Sequence, residues 1–101
     1  MTNYLTRVEL YEATEEGDYD KLQAAMEERG FLPQVKADDG ILYWLPTGTY
    51  VIQDTDMTLT VAHDAAMAAA GQTGFEYSVI VVEFENTQWT NLEVVDTTPN
   101  S

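Results

Sequence analysis

The sequence predicts a single α+β domain in which two helices cover one face of an antiparallel sheet. Three features carry this prediction: segments of alternating apolar and polar residues, two segments with helical spacing, and a tight turn between those two segments. The chain has 101 residues, 45% of them hydrophobic, which is enough to build one modest core. We therefore expect one domain over residues 1–95 and a disordered polar tail over residues 96–101.

The first element is predicted to be a strand from Tyr4 to Tyr11, because apolar and polar side chains alternate there. The face expected to lie under the helices carries Tyr4, Thr6, Val8 and Leu10. The face expected to stay open carries Leu5, Arg7, Glu9 and Tyr11. A helix follows, with Asp18 as its cap and Gly30 just after its end. Its buried side is predicted to carry Tyr19, Leu22, Ala25 and Met26.

A β-hairpin from Val35 to Pro46 is predicted between the two helical segments. Its turn lies at Asp39-Gly40, because glycine accepts the positive φ that such turns need and aspartate tolerates it. The first arm belongs to a strand over residues 31–36, which Pro33 makes short or places at an edge. The second arm covers residues 41–45.

After the hairpin, residues 49–52 are expected to be extended and residues 53–57 to form a loop. The second helix is predicted over residues 60–70, with Thr58 or Thr60 as its cap and Gly71 as its stop. The side chains expected to face the sheet are Val61, Ala65, and Met67 or Ala68.

Residues 75–84 form the longest strand pattern, and apolar residues on both faces indicate a central strand or a sheet covered on both sides. A fifth strand over residues 88–95 is expected to pair with it. The order is therefore β-α-β-β-α-β with one added C-terminal strand. Its natural solution is a ferredoxin-like split βαβ sandwich, an antiparallel sheet with both helices on one face.

Charge is the most unusual property of the chain: 18 Asp and Glu face 4 Lys and Arg, for a formal net charge of -14. Such a field repels phosphate backbones, which disfavours direct nucleic-acid binding. Three interpretations stay open. The acidity serves solubility, it meets a basic protein partner and imitates nucleic acid, or it binds cations.

Several site classes have little support in the sequence. There is no cysteine, which excludes disulfides, thiolate catalysis and cysteine-ligated metal, and a cytoplasmic location is expected. No apolar run has the length of a membrane span and no signal-peptide pattern begins the chain. His63 is interpreted as a solvent-facing residue beside Asp64 rather than as a catalytic base. We expect no cofactor, no metal site and no catalytic residue.

The residues expected to bind a protein partner are mostly acidic. They are Glu12, Glu15, Glu16, Asp18, Asp20, Asp38, Asp39, Asp54, Asp56 and Trp44. A homodimer is also expected, because an open sheet face with apolar residues favours a protein interface and two-fold dimers are the commonest oligomers.

Four segments carry a resemblance to a known family. They are Tyr4–Leu10, Asp18–Phe31, Asp39-Gly40 with Tyr43 and Leu45–Thr47, and Tyr77–Val79. Together they resemble the GhoS-type endoribonuclease antitoxin family and its uncharacterised bacterial and phage relatives. The resemblance implies a ferredoxin-like fold, similar to that of small CRISPR-associated nucleases, and an antitoxin that cleaves the messenger RNA of a membrane-lytic toxin. Those nucleases place an aspartate near the end of the first strand, where this chain has Leu10-Tyr11-Glu12, so no catalytic residue carries over.

Two functional hypotheses follow. The first is a non-catalytic interaction protein, an antitoxin-like or phage-encoded regulator that binds a basic partner such as a nucleic-acid-binding defence complex, as an anti-CRISPR protein does. The alternative is an endoribonuclease of the GhoS type. In that case Arg7 and Lys36, with Lys21 and Arg29, would supply RNA binding and charge stabilisation.

Overall fold

The structure, a computed structural model, describes residues 1–95, so the predicted disordered tail lies outside the described residues. The elements in chain order are β1 (Thr2–Leu10), α1 (Glu16–Glu28), β2 (Gln34–Lys36), β3 (Leu42–Trp44), β4 (Thr49–Thr55), α2 (Leu59–Gly71) and β5 (Tyr77–Phe84). The predicted α+β class, with two helices and an antiparallel sheet, is confirmed. Within residues 1–95 neither helix is long and apolar enough to cross a membrane.

The main sheet has three antiparallel strands in the order β4-β1-β5, and β2 and β3 form a separate hairpin. Leu32, just before β2, joins the hairpin to β4 through paired main-chain hydrogen bonds of 2.8 Å with Val51. In the register of the sheet, Arg7 lies between Thr49 and Ile80. The end of β1 therefore meets the start of β4.

The main core lies between the sheet and the two helices, as the alternation in β1 predicts. The buried side chains of β1 are Tyr4, Thr6, Val8 and Leu10. The buried side chains of α1 are Leu22, Ala25 and Met26, while Tyr19 is half-buried at the edge of the core. The predictions for these two faces are confirmed.

The predicted N-terminus of α1 is wrong by one turn. The helix begins at Glu16 with Glu15 as N-cap, and Asp18 is its third residue. The Asp18 carboxylate accepts a hydrogen bond of 3.0 Å from the main-chain N–H of Glu15. Aspartate therefore does stabilise the start of the helix, but from inside the first turn, as in a capping box.

The hairpin turn matches the prediction at Gly40, which alone in this turn has positive φ, at 88°. The Gly40 N–H donates to the Ala37 carbonyl at 2.9 Å, and the Ala37 N–H donates to the Ile41 carbonyl at 2.9 Å. Asp39 does not need the positive φ that we allowed for it. Its carboxylate instead accepts a hydrogen bond of 3.0 Å from the Ile41 N–H.

The predicted inward face of α2 is wrong for Val61 and for Met67 or Ala68, whereas Ala65 is partly buried against the core. Val61 is 50% exposed and Met67 is 38% exposed, whereas Ala62, Ala66, Ala69 and Ala70 are fully buried. Apolar residues surround most of this helix, so their spacing does not define which side packs. The alanine side of α2 packs on the sheet because small side chains let the helix axis approach the sheet closely. The Thr58 cap is confirmed, since its hydroxyl accepts from the Val61 N–H at 3.2 Å.

Two strand predictions also need correction. Residues 53–55 belong to β4 rather than to a loop, and a bulge accommodates Asp54 at φ 55°. β5 is not central: within residues 1–95 it pairs with β1 alone, and β1 is the middle strand. The outer face of β5 is apolar but not buried, since Ile80 and Val82 are 60% and 42% exposed there.

The C-terminal segment over residues 85–95 does not form the predicted strand beside β5. It instead crosses to β3, where the Trp44 N–H donates to Glu93 and the Val95 N–H donates to Leu42, at 2.8 and 2.9 Å. The rings of Trp89 and Tyr43 lie 5.1 Å apart. The segment therefore covers part of the sheet face opposite the helices, where Val35 and Val51 form a small second core.

Candidate functional site

The ten residues predicted to bind a partner lie at two opposite ends of the molecule. Five of them, Glu12, Glu15, Glu16, Asp18 and Asp20, lie at or beside the start of α1, where β1 has just ended. Four more, Asp38, Asp39, Asp54 and Asp56, lie at the far end, near the hairpin tip and the beginning of β1. The tenth, Trp44, lies at the same end as the start of α1. Because β1 has nine residues, it separates the two groups by about 27 Å. They cannot act as one continuous site.

The end at the start of α1 contains an open groove of about 560 Å³, which we call the α1 groove. Its walls come from α1, from the β2–β3 hairpin and from the segment that enters β4. The lining residues are Glu15, Tyr19, Asp20, Gln23, Pro33, Trp44, Leu45, Pro46, Thr47, Gly48, Thr49 and Tyr50. Three of the ten predicted residues, Glu15, Asp20 and Trp44, therefore meet in one groove.

Each wall of the α1 groove is fixed by main-chain contacts. Trp44 pairs with Gln34 in the hairpin, and the Leu45 N–H donates to the Pro33 carbonyl at 2.9 Å. The Tyr19 hydroxyl accepts a hydrogen bond of 3.0 Å from the Leu10 N–H, which holds the start of α1 against the end of β1. Trp44 itself is 39% exposed. The groove therefore presents an accessible aromatic surface on a braced frame.

Tyr50 forms the inner side of the α1 groove and is only 2% exposed. Three other tyrosine hydroxyls, those of Tyr4, Tyr11 and Tyr19, have hydrogen-bond partners. The Tyr50 hydroxyl has none among the residues that the structure describes, and its oxygen is not sealed from the groove. The Tyr50 hydroxyl can therefore donate a hydrogen bond to a group that enters the groove.

Tyr50 lies in an environment of negative electrostatic potential. Burial, followed by the nearby Glu27, Tyr19 and Asp20, raises the pKa of Tyr50 from 10.0 to about 12. The phenol therefore stays protonated at neutral pH and can donate a hydrogen bond. The same carboxylates that oppose its ionisation favour a positive charge in the groove.

The far end of the sheet has a second, more polar groove of about 470 Å³, which we call the hairpin-tip groove. Asp38, Asp54 and Lys36 line it together with Glu85. Asp54 is held in its positive-φ conformation by the Asn3 side chain, which accepts from the Asp54 N–H at 2.8 Å. Here the cation Lys36 lines the groove among the acids, whereas Arg7 adjoins the α1 groove through the Thr47 carbonyl without lining it.

Two of the four cationic side chains bond to uncharged groups of the protein. Arg7 donates from Nη1 to the carbonyls of Thr47 and Val8, at 3.0 and 3.2 Å. Arg29 donates to the Ala25 carbonyl at 3.3 Å, and the side-chain oxygen of Gln72, turned toward it, accepts from both terminal nitrogens at 3.1 and 2.9 Å. Arg29 thereby ties the C-terminal ends of α1 and α2 together.

The acidic surface is consequently not neutralised from within. Among the side chains that the structure describes, no Lys or Arg nitrogen lies within 4.0 Å of a carboxylate oxygen. His63 Nδ1 lies 3.7 Å from a carboxylate oxygen of Asp64, and both side chains are well exposed. Within the same residues, no three His, Asp or Glu side chains are grouped as a metal site requires.

The two residues predicted to bind RNA in the alternative hypothesis are not brought together. Arg7 lies opposite Thr49 at the start of β4, whereas the main chain of Lys36 bonds to the side chain of Gln53. Four residues of β4, about 13 Å of chain, separate those two points. Arg7 and Lys36 therefore do not form a joint basic patch.

The sequence does not identify Tyr50, Tyr19 or Gln23 as groove residues. It predicts that Tyr19 belongs to the core and that Tyr50 lies in an extended segment without a role. Nothing local marks either one, because the groove exists only where the hairpin packs beside α1.

Comparison with family models, with curated proteins and with solved structures finds no match to the chain.

Proposed function

We propose that this chain is a non-catalytic interaction protein, an antitoxin-like or phage-encoded regulator that binds a basic protein partner. The observation that carries the proposal is the uncompensated acidity of its surface. The net charge is -14, and two of its four cations are engaged with uncharged groups of the protein. A surface of this kind attracts cationic proteins over distances of about 10 Å at moderate salt.

We also propose that the fold is the ferredoxin-like split βαβ sandwich of GhoS-type proteins. The strand order β4-β1-β5 with antiparallel pairing supports it, as does the bridge that sets Leu32 beside β4. The second arm of the hairpin, β3, is then an addition to the basic unit. An acidic member of such a fold would suit an inhibitor that imitates nucleic acid and occupies the basic channel of a nucleic-acid-binding complex.

Affinity capture from a bacterial lysate tests the proposal, because the resemblance is to bacterial and phage proteins. The purified chain would be used at about 0.05 M and about 1 M salt, and the bound material analysed for protein and RNA. We expect a stoichiometric basic protein that is retained at low salt and released at high salt. Retention of no basic protein at low salt would contradict the proposal.

The GhoS-type ribonuclease remains the alternative, and the described residues give it no additional support. Charge stabilisation of a cleaving phosphodiester needs cations that converge on one point. Arg7 is instead held on the turn before β4 and stands about 13 Å along that strand from Lys36. If the same capture experiment yields degraded RNA and no protein, the ribonuclease becomes the better account.

A further inference from the structure

We propose that the α1 groove is the contact point of the basic partner and that it receives an arginine side chain on an exposed segment of that partner. This inference rests on the proposed function, which it makes specific. It differs from general acidity because it depends on four side chains of one groove: Glu15, Asp20, Trp44 and Tyr50.

The α1 groove combines negative charge with an aromatic surface. Glu15 and Asp20 line the groove, and no Lys or Arg is among its lining residues. Trp44 presents a partly exposed indole in the same groove. A guanidinium satisfies both groups at once, since it bonds carboxylates with its planar fork and stacks on an indole face. A lysine ammonium offers neither the planar fork nor the stacking surface.

Tyr50 adds a hydrogen-bond donor to the groove. The residue as a whole is 2% exposed and lines the groove, while its hydroxyl oxygen is accessible and bonds to no residue that the structure describes. An inserted ligand can therefore accept a hydrogen bond from this hydroxyl. The main-chain carbonyl next to an inserted arginine is an acceptor of the right type. Acidic residues in the groove explain the charge of the ligand, and Tyr50 explains why a peptide group accompanies it.

The α1 groove also has a suitable size. A volume of about 560 Å³ lies within the usual range of small-molecule sites, so one arginine and its flanking main chain fit. Lys36 lines the hairpin-tip groove itself. In the α1 groove Arg7 is a neighbour but not a lining residue, because its guanidinium is held by the Thr47 and Val8 carbonyls. The α1 groove is therefore the better of the two grooves for a cationic ligand.

The test uses a short probe, the peptide acetyl-Ala-Arg-Ala-Arg-Ala-amide, titrated into the labelled full chain and followed by NMR. We expect the indole N–H signal of Trp44 to shift and that of Trp89 to stay. A peptide with citrulline in place of both arginines has the same shape without the charge and should not bind. Wild-type shifts with the citrulline peptide would overturn the proposal.

Matched variants separate the groove from the overall charge. Glu15→Gln with Asp20→Asn, and Glu28→Gln with Glu83→Gln, each remove two negative charges, but only the first pair lines the groove. We expect the first pair to weaken the arginine peptide about tenfold or more and the second pair less than about twofold. Tyr50→Phe should weaken it about threefold to tenfold through the lost hydrogen bond. Circular dichroism checks that each variant is folded.

Failure of this inference and failure of the proposed function give different results. If both double variants weaken the peptide equally, binding is general electrostatics and the groove proposal is wrong, while salt-sensitive capture of a basic protein would still support the proposed function. If the peptide does not bind the wild-type chain, the groove proposal is also wrong. If no basic protein is captured either, both fall.

Discussion

At the scale of single residues, Gly48 controls how the segment before β4 lies on β1. It has φ 84°, and a Cβ there would stand 2.6 Å from the main-chain oxygen of Val8. Its own carbonyl accepts from the Val8 N–H at 2.8 Å, so neither chain has room to shift. Since Gly48 also lines the α1 groove, the shape of the groove depends on it.

We predict that Gly48→Ala lowers the free energy of unfolding by about 2 to 3 kcal/mol, through positive φ and contact with main chain. Gly17→Ala is the matched control, because nothing lies within 4 Å of its Cβ position and it sits in the first turn of α1. That change should stabilise the protein by about 0.5 kcal/mol. Urea unfolding measures both, and equal effects would contradict this account of Gly48.

Tyr50 is expected to make the stability of the protein depend on pH. Its pKa is raised from 10.0 to about 12 in the folded protein, so the native state holds its proton more tightly than the unfolded chain does. The contribution of protonated Tyr50 to the free energy of unfolding is therefore complete below pH 10 and is lost as the pH rises toward 12. We expect about 1 to 2 kcal/mol to be lost, less than the full shift implies because the hydroxyl opens to a solvated groove.

The measurement is the difference in unfolding free energy between wild type and Tyr50→Phe, followed from pH 8 to 12. The rest of the chain is the same in both proteins, so its pH-dependent contribution cancels in the difference. Near pH 7 the two should agree within about 0.5 kcal/mol, because no hydrogen bond to the described protein is lost. A difference that does not change with pH would show that Tyr50 is not the group responsible.

At the scale of elements, α2 packs through alanines rather than through its larger apolar residues. Ala66 is fully buried and Ala68 is exposed, so leucine at these two positions tests the assignment with the same chemistry. We predict that Ala66→Leu destabilises by about 1 to 3 kcal/mol because the helix would have to move away from the sheet. Ala68→Leu should change stability by less than about 0.5 kcal/mol. Thermal unfolding decides, and the reverse order would restore the face expected from the sequence.

The segment over residues 85–95 is the other element whose role needs a test. Its Trp89 contacts Tyr43 and helps to line the hollow over Val35 and Val51. Trp89→Ala is predicted to cost about 2 kcal/mol and to speed hydrogen exchange at the amides of Trp44 and Val95. Unchanged exchange at these two amides would mean that the segment does not hold the hairpin.

Elements with a clear period were predictable, and those without one were not. The alternation in β1 and the spacing of Leu22, Ala25 and Met26 identify their buried faces, because each has a polar opposite side. In α2 the apolar residues surround the helix, so which side is buried depends only on how closely each side can approach the sheet. Residues 88–95 alternate like a strand, yet their pairing with β3 depends on contacts far along the chain.

The candidate site shows the same limit. The sequence identifies Glu15, Asp20 and Trp44 as acidic or accessible aromatic residues, but no local pattern indicates that they share a groove. That depends on how the hairpin lies relative to α1. The Leu45 N–H bonds to the Pro33 carbonyl within the hairpin, and the Leu10 N–H bonds to the Tyr19 hydroxyl between β1 and α1. The sequence does not identify Tyr50, because a tyrosine in an extended segment is ordinarily a core residue.

At the scale of the whole molecule, two acidic ends flank one helix-covered sheet. The net charge of -14 opposes close association of identical copies, so the expected homodimer would need the apolar outer face of β5, where Ile80 is 60% exposed. The same charge favours a cationic partner without such help. The position of the proposed partner on the molecule is therefore the central question.

Site-specific cross-linking in bacterial cells answers it most directly. A benzophenone amino acid would replace Gln23, which lines the α1 groove, and in a control chain would replace Glu83, which is exposed in β5 near the opposite end. We predict that position 23 captures one basic protein through a peptide that contains arginine, and that position 83 does not. Equal capture at both positions, or none at position 23, would contradict the account.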